Sequence, residues 1–111
     1  MNKKCLDIKS AGQLLPSRKA NGNKGTFGRV LLICGSKNMV GCCSLSAQGA
    51  LRSGAGLVTL SFPDVLYSSL TSQLCEPLFL PLPTDENGFI SHLAIEEILL
   101  AAEKADVVMV G

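Results

Sequence analysis

Two apolar runs separated by one helix-length segment constrain this chain more than anything else in it. Val30, Leu31, Leu32, Ile33 and Cys34 form the first, bounded by Gly28-Arg29 and Gly35-Ser36. Leu57 to Phe62 form the second, closed by Pro63. A strand covered on both faces reads as such a run, where a half-exposed strand alternates. Between the runs, Cys43, Ala47, Ala50, Leu51 and Gly54 fall at i, i+4, i+7, i+8 and i+11, one face of a helix. That face is nearly all small side chains, so the helix is predicted to approach the sheet closely. Leucine at Ala47, or at Gly49 on its flank, is therefore expected to overpack. Gly54 and Gly56 are the stop signals. Lys24 to Pro63 thus reads as a βαβ unit.

The connection from the first strand to the helix is Gly35-Ser36-Lys37-Asn38-Met39-Val40-Gly41. In an open parallel sheet, ligands sit beyond the carboxyl ends of the strands, where such loops lie. The helix N-terminus that follows offers unpaired N–H groups and the positive end of a dipole, which suits an anion or phosphate. The spacing is nevertheless neither standard phosphate motif. It is GxxxxxG, and Cys42-Cys43 stand where a P-loop needs Lys and then Ser or Thr. A loop that only turns the chain fits the same spacing.

The rest of the chain extends the alternation. A short helix is expected at about Ser10 to Leu15, anchored by Leu14 and Leu15 and ended by Pro16. Ser17 to Thr26 is polar and glycine-containing, a loop in which Arg18, Lys19 and Lys24 concentrate positive charge. Residues 1–27 are a lead-in, and 28–111 alternate strand and helix. After Pro63, Asp64 is expected to cap a helix reaching about Leu70. Leu78 to Pro83 reads as an edge or short strand because its prolines cannot donate to a ladder. Thr84 to Gly88 is a turn, with Asp85, Glu86, Asn87 and Gly88 all turn formers, and Ser91 is a candidate N-cap for the next helix. Ile95, Ile98, Leu99 and Ala102 mark that helix's expected buried face, with His92 a surface or capping residue at its start. Val107 to Val110 then reads as another buried strand. The order β-α-β-α-β-α-β implies an α/β fold with a mainly parallel sheet, flanking helices and right-handed crossovers.

Composition narrows the function classes. Charged residues are 17% of the chain, under the usual ~25%, and hydrophobic residues are 47%, so this is a core-forming and not a disordered sequence. A net charge of +1 gives no footprint for nucleic acid or a charged membrane surface. No apolar run approaches the ~20 residues of a membrane helix. The five cysteines form no CxxC pair, and His92 is the one histidine, so no metal site is expected and the thiols read as reduced in a cytoplasm. No Ser/His/Asp set or carboxylate pair falls on one predicted loop, so no catalytic residue is assigned within the chain.

A family resemblance rests on three stretches. They are Asn21-Gly22-Asn23-Lys24-Gly25-Thr26-Phe27-Gly28-Arg29-Val30; the run through Gly35-Ser36, Met39 and Gly41; and Ala50-Leu51-Arg52-Ser53-Gly54-Ala55-Gly56-Leu57-Val58-Thr59. Together they resemble the N-terminal part of the ADP- or ATP-dependent NAD(P)H-hydrate dehydratases, which are ribokinase-like and related to carbohydrate kinases. The match is strongest over residues 18–63. The strand from Asp106 to Gly111 resembles the one leading into that family's PGLG loop.

The resemblance implies a ribokinase-like, Rossmann-type fold, here only its N-terminal half. It also implies a repair reaction in which water is removed from the hydrated ring of NADH or NADPH, driven by hydrolysis of ADP or ATP, with Mg2+ as a candidate companion. The family's His before Lys-Gly is Asn23 here, and its Gly-Ala is Gly41-Cys42. By carry-over, Gly35, Ser36, Gly41 and Cys42 are the cofactor-binding candidates. The family's PGLG, TPHxGE and GTGD segments do not occur in these 111 residues. The chain is therefore expected to be inactive by itself and, with a sheet edge uncovered, to form a homo-oligomer. A ribokinase-like kinase acting on a sugar or hydroxymethyl compound, or a non-catalytic nucleotide-binding or assembly module, are the alternatives.

Overall fold

The computed structural model describes residues 3, 5–15, 17, 20–22 and 27–111. The basic stretch at Arg18, Lys19 and Lys24, the expected stop at Pro16 and the Asn23 position lie outside the described residues. Four strands form one sheet: β1 (Arg29–Ile33), β2 (Leu57–Pro63), β3 (Leu78–Leu82) and β4 (Val107–Val110). All three pairings are parallel, in the order β3-β2-β1-β4. The α/β architecture with a parallel sheet and flanking helices expected from the sequence is what the chain adopts. β3 is an edge strand as its prolines require, with Pro81 opposite Phe62.

Four helices accompany the strands: α1 (Ile8–Leu14), α2 (Gly41–Arg52), α3 (Tyr67–Thr71) and α4 (Ile95–Glu103). Strand residues alternate between the two faces of the sheet. On one face Leu32 and Cys34, then Val58, Leu60 and Phe62, meet Cys43 and Ala47 of α2 and Leu66, Leu70 and Leu74 around α3. Ala50 and Leu51 complete the small-residue stripe as partly buried neighbours of this core. Phe62 is fully buried and meets Phe79 edge-on, with centroids 6.1 Å apart at 80°. The buried hydroxyl of Ser61 donates to the Leu32 carbonyl at 2.7 Å, so this polar group inside the sheet is satisfied.

Gly49 does not belong to that packed face. It is exposed, and a Cβ built there has no neighbour within 4 Å. The expectation that a larger residue overpacks holds for buried Ala47 alone. Ala47→Leu is predicted to cost about 1–3 kcal/mol, whereas Gly49→Ala should stabilise by roughly 0.5–1 kcal/mol through helix propensity. Urea unfolding of the two variants checks the opposite signs; a matching loss in both would show that Gly49 faces the core.

The other face carries α4, and here three expectations are corrected. Glu97, Leu100, Ala101 and Lys104 of α4 line a cavity of about 370 Å³ with Leu31, Thr59 and Leu80, and of the expected face Ile98 and Ala102 are half-buried. Ile95 and Leu99 are exposed, and no α4 residue is fully buried. Ile98 to Ala102 is apolar on every side of the helix, so periodicity could not choose between the stripes. β4 is likewise exposed along its whole length, because it is the edge strand beside β1 and no described helix covers it. Leu14 and Leu15 are exposed too. What holds α1 is a capping box, in which the Ser10 N–H donates to Asp7 Oδ1 at 2.7 Å and the Asp7 N–H donates to Ser10 Oγ at 3.0 Å. The Ser10 N–H and the Ser10 hydroxyl both donate to the Asp7 carboxylate, which lowers its pKa.

Asp64 is not a helix cap. Its carboxylate accepts the Thr84 hydroxyl at 2.5 Å, tying the end of β2 to the chain leaving β3. Ser91 does cap, its Oγ accepting the Leu93 N–H at 3.2 Å.

Candidate functional site

α2 and α3 cover one face of the sheet and α4 the other, so the winding direction reverses between β1 and β4. A crevice at the carboxyl ends of two such strands is where open α/β sheets place ligands. The loop Gly35 to Val40 leaves β1 at this point, while Gly111 N–H donates to the Ile33 carbonyl at 3.1 Å from the β4 side.

Local geometry shows why the loop has its sequence. Gly35 has φ +93°, and a Cβ there would stand 2.5 Å from Cys43 Sγ and 3.3 Å from Leu66 Cδ1. Only glycine fits both the dihedral and the space. Met39 N–H closes a turn on the Ser36 carbonyl at 2.9 Å. Lys37 N–H donates to the Gly88 carbonyl at 2.8 Å, so the turn after β3 braces the loop. Gly88, with φ +86°, packs its bare Cα against the Lys37 stem. α2 then starts at Gly41, and Val40 gives it no side-chain cap. The first-turn N–H groups and the positive end of the helix dipole therefore face this edge. Gly41 is exposed, while Ser36 and Cys42 are half-buried. The four candidates from the sequence thus lie together on one loop and its helix start.

A cavity of about 420 Å³ adjoins the loop, lined by Lys37, Val40, Leu66, Thr84, Asp85 and Glu86 among others. That is within the usual range for small-molecule sites. A larger cleft, about 560 Å³, lies by Gly28, Ala55 and Asp106 at the amino edge. It is at the wrong end of the strands for this class of fold.

The carboxylates near the sheet ends are occupied with structure. Asp85 Oδ1 accepts the Asn87 and Phe89 N–H groups at 2.9 Å each, and Asp106 Oδ2 accepts the Arg29 N–H at 2.7 Å. With Asp64 held by Thr84, each of these three carboxylates has a structural partner.

Sequence spacing missed one cluster. Cys34 at the end of β1 and Cys42 and Cys43 in the first turn of α2 bring their Sγ atoms within 4.8 Å of one another. Cys34 and Cys43 are 3.7 Å apart, and Cys42 Sγ donates to the Met39 carbonyl at 3.1 Å. The hydrogen bond with Cys43 lowers the Cys34 thiol to about 7 against the effect of burial. Cys43, hydrogen-bonded to Cys34 and desolvated, is pushed up. The available signal was a cysteine ending the strand of a βαβ unit with two more opening its helix.

A family model described as NAD(P)H-hydrate dehydratase, of the carbohydrate kinase type, matches residues 30–111. The chain belongs to the NAD(P)H-hydrate dehydratase family. Among the dehydratase-family relatives, it is 34% identical over 110 residues to the bifunctional NAD(P)H-hydrate repair enzyme of Moorella thermoacetica, covering 99% of this chain and 21% of that protein. It is 35% identical over 68 residues to the ADP-dependent (S)-NAD(P)H-hydrate dehydratase of Staphylococcus aureus, covering 61% of this chain and 25% of the relative. A solved ribokinase-like protein of Enterococcus faecalis superposes with a TM-score of 0.72 at 26% identity, over 96% of this chain and 34% of that one. The ADP/ATP-dependent NAD(P)H-hydrate dehydratase of Bacillus subtilis, co-crystallised with ATP and Mg2+, shares the fold with a TM-score of 0.63 at 23% identity, over 92% of this chain and 43% of that one. The chain thus spans about a fifth to a quarter of the length of these dehydratase-family relatives in sequence.

Among the described residues, no helix is long and apolar enough to cross a membrane.

Proposed function

We propose that the chain supplies the substrate-side loop of an enzyme that dehydrates hydrated NADH or NADPH at the expense of ADP or ATP, in the cytoplasm. Gly35, Ser36, Gly41 and Cys42 contact the dinucleotide in this reading. The observation that carries it is the uncapped start of α2 at the reversal point of the sheet, in a chain of dehydratase family membership. An anionic group of the dinucleotide fits there, because backbone N–H groups and the helix dipole supply donors and positive potential without a lysine. Cys42, where the family resemblance has alanine, keeps its backbone N–H and adds little bulk. The residues present do not fit Mg2+ in the same way. That ion needs an octahedral oxygen set, and Asp64 and Asp85 are committed elsewhere.

Without a poised acid–base group, the chain by itself is expected to bind but not to turn over. Purified chain incubated with hydrated NADH and ADP or ATP should show no return of reduced-nicotinamide absorbance. NADPH should shift amide resonances from Gly35 to Cys42, and Cys42→Trp should abolish those shifts. Turnover that survives repurification, or shifts confined to other segments, refutes the reading.

Self-association belongs to the same proposal. The exposed β4 edge and the apolar residues Ile95 and Leu99 on α4 offer a second copy a ladder and a face. Sedimentation is expected to show dimers or larger species at tens of micromolar, and a clean monomer would count against a homo-oligomer.

A further inference from the structure

We propose that Cys34, Cys42 and Cys43 form a binding site for one thiophilic d10 metal ion, such as Zn(II), Cd(II) or Cu(I), beneath the Gly35–Val40 loop. Two elements of the fold converge to make it. Cys34 continues β1, its N–H held by the Ser61 carbonyl at 3.1 Å. Cys42 and Cys43 are neighbours in the first turn of α2, and their Sγ atoms lie within 4.8 Å of each other and of Cys34 Sγ. Two sulfurs on a tetrahedral ion with bonds of ~2.3 Å stand about 3.8 Å apart. Cys34 and Cys43 already have that separation, at 3.7 Å. No pair in the trio is wider than 4.8 Å, so the remaining closure is about 1 Å at most, a side-chain adjustment at half-buried Cys42.

The donor set decides the class of ion. All three ligands are thiols, with neither carboxylate nor imidazole in the cluster, so soft ions are selected over Mg2+ or Ca2+. Cys34 and Cys43 are buried, which fixes two ligands, whereas Cys42 leaves a way in from the loop side. On binding, each coordinated thiol gives its proton to solvent, and no oxidant or reductant takes part.

The test uses the reduced chain carrying Cys5→Ser and Cys75→Ser, which removes the two exposed thiols outside the cluster. Titration with cadmium chloride, without oxygen, is followed by the thiolate-to-cadmium charge-transfer absorbance, and the 113Cd chemical shift counts the sulfur donors. One ion per chain with three sulfur donors is expected, undisturbed by excess magnesium. Cys42→Ser, a substitution outside the sealed core, should weaken binding at least tenfold, as should Cys34→Ser. Absence of uptake, a shift reporting fewer than three sulfurs, or equal affinity after Cys42→Ser overturns the proposal and leaves the three thiols as core packing. Because the 113Cd shift is read on a chain with all three cluster cysteines intact, the result does not depend on whether the serine variants fold.

Discussion

Gly35→Ala should lower the free energy of unfolding by about 2–5 kcal/mol, combining roughly 1–2 kcal/mol for a side chain at left-handed φ with about 1–3 kcal/mol for overpacking. The new methyl would stand 2.5 Å from Cys43 Sγ and 3.3 Å from Leu66 Cδ1, both in the core. Cys43 has no room to yield, since its sulfur is enclosed by Cys34 and the sheet. A double-mutant cycle separates the two causes. In a Cys43→Ala background the contact with the sulfur disappears while the dihedral part and the looser Leu66 contact stay, so the penalty should fall by up to about half. Urea unfolding monitored by circular dichroism reads both numbers. The same penalty in both backgrounds would show that the sulfur is not what excludes a side chain at Gly35.

Phe62→Ala is expected to cost about 3–5 kcal/mol, the range for emptying a large buried aromatic site. Phe62 is completely enclosed in β2, between the α2–α3 layer and the ring of Phe79, which itself meets Tyr67 edge-on at 6.4 Å. Small domains have only about 5–15 kcal/mol of stability in all, so this change alone should bring the thermal midpoint close to working temperatures. Phe62→Leu fills most of the space and should keep more than half of the loss from appearing. If alanine and leucine behave alike, the site has collapsed around the truncation.

The legible part of the fold and the illegible part have different physical origins. Val30 to Cys34, Leu57 to Phe62 and the stripe from Cys43 to Leu51 could be read because burial by neighbours close in sequence imposes a period or an unbroken run. Leu78 to Leu82 could be read as an edge from the chemistry of Pro81. The facing of α4 could not, since Ile98 to Ala102 offers apolar side chains in every direction. Nor could the exposure of Val107 to Val110, because an apolar run looks the same in a central strand and at an edge, and strand order is decided by crossovers. For the site, Gly35, Ser36, Gly41 and Cys42 were accessible from strand–loop–helix order. The bracing of Lys37 by Gly88, the Asp64–Thr84 bond and the cysteine trio join residues whose proximity exists only once the sheet is assembled.

The placement of β4 against β1 bears on how the chain reaches this state. β1 pairs with β2 across a single helix, and β2 with β3 across another short connection, so both closures are local. The bond from Arg29 N–H to Asp106 joins residues 77 apart in sequence. Closing that span costs chain entropy that only pairing and burial can offset, and β4 buries little. The β1–β2–β3 layer is thus expected to be the cooperative unit, with β4 docking onto it late and releasing from it first. In hydrogen exchange, the β4 amides would open at a free energy well below that of unfolding the whole chain. The β4 side of the ligand crevice is then its softer wall, and the loop after β1 is the wall that stays in place.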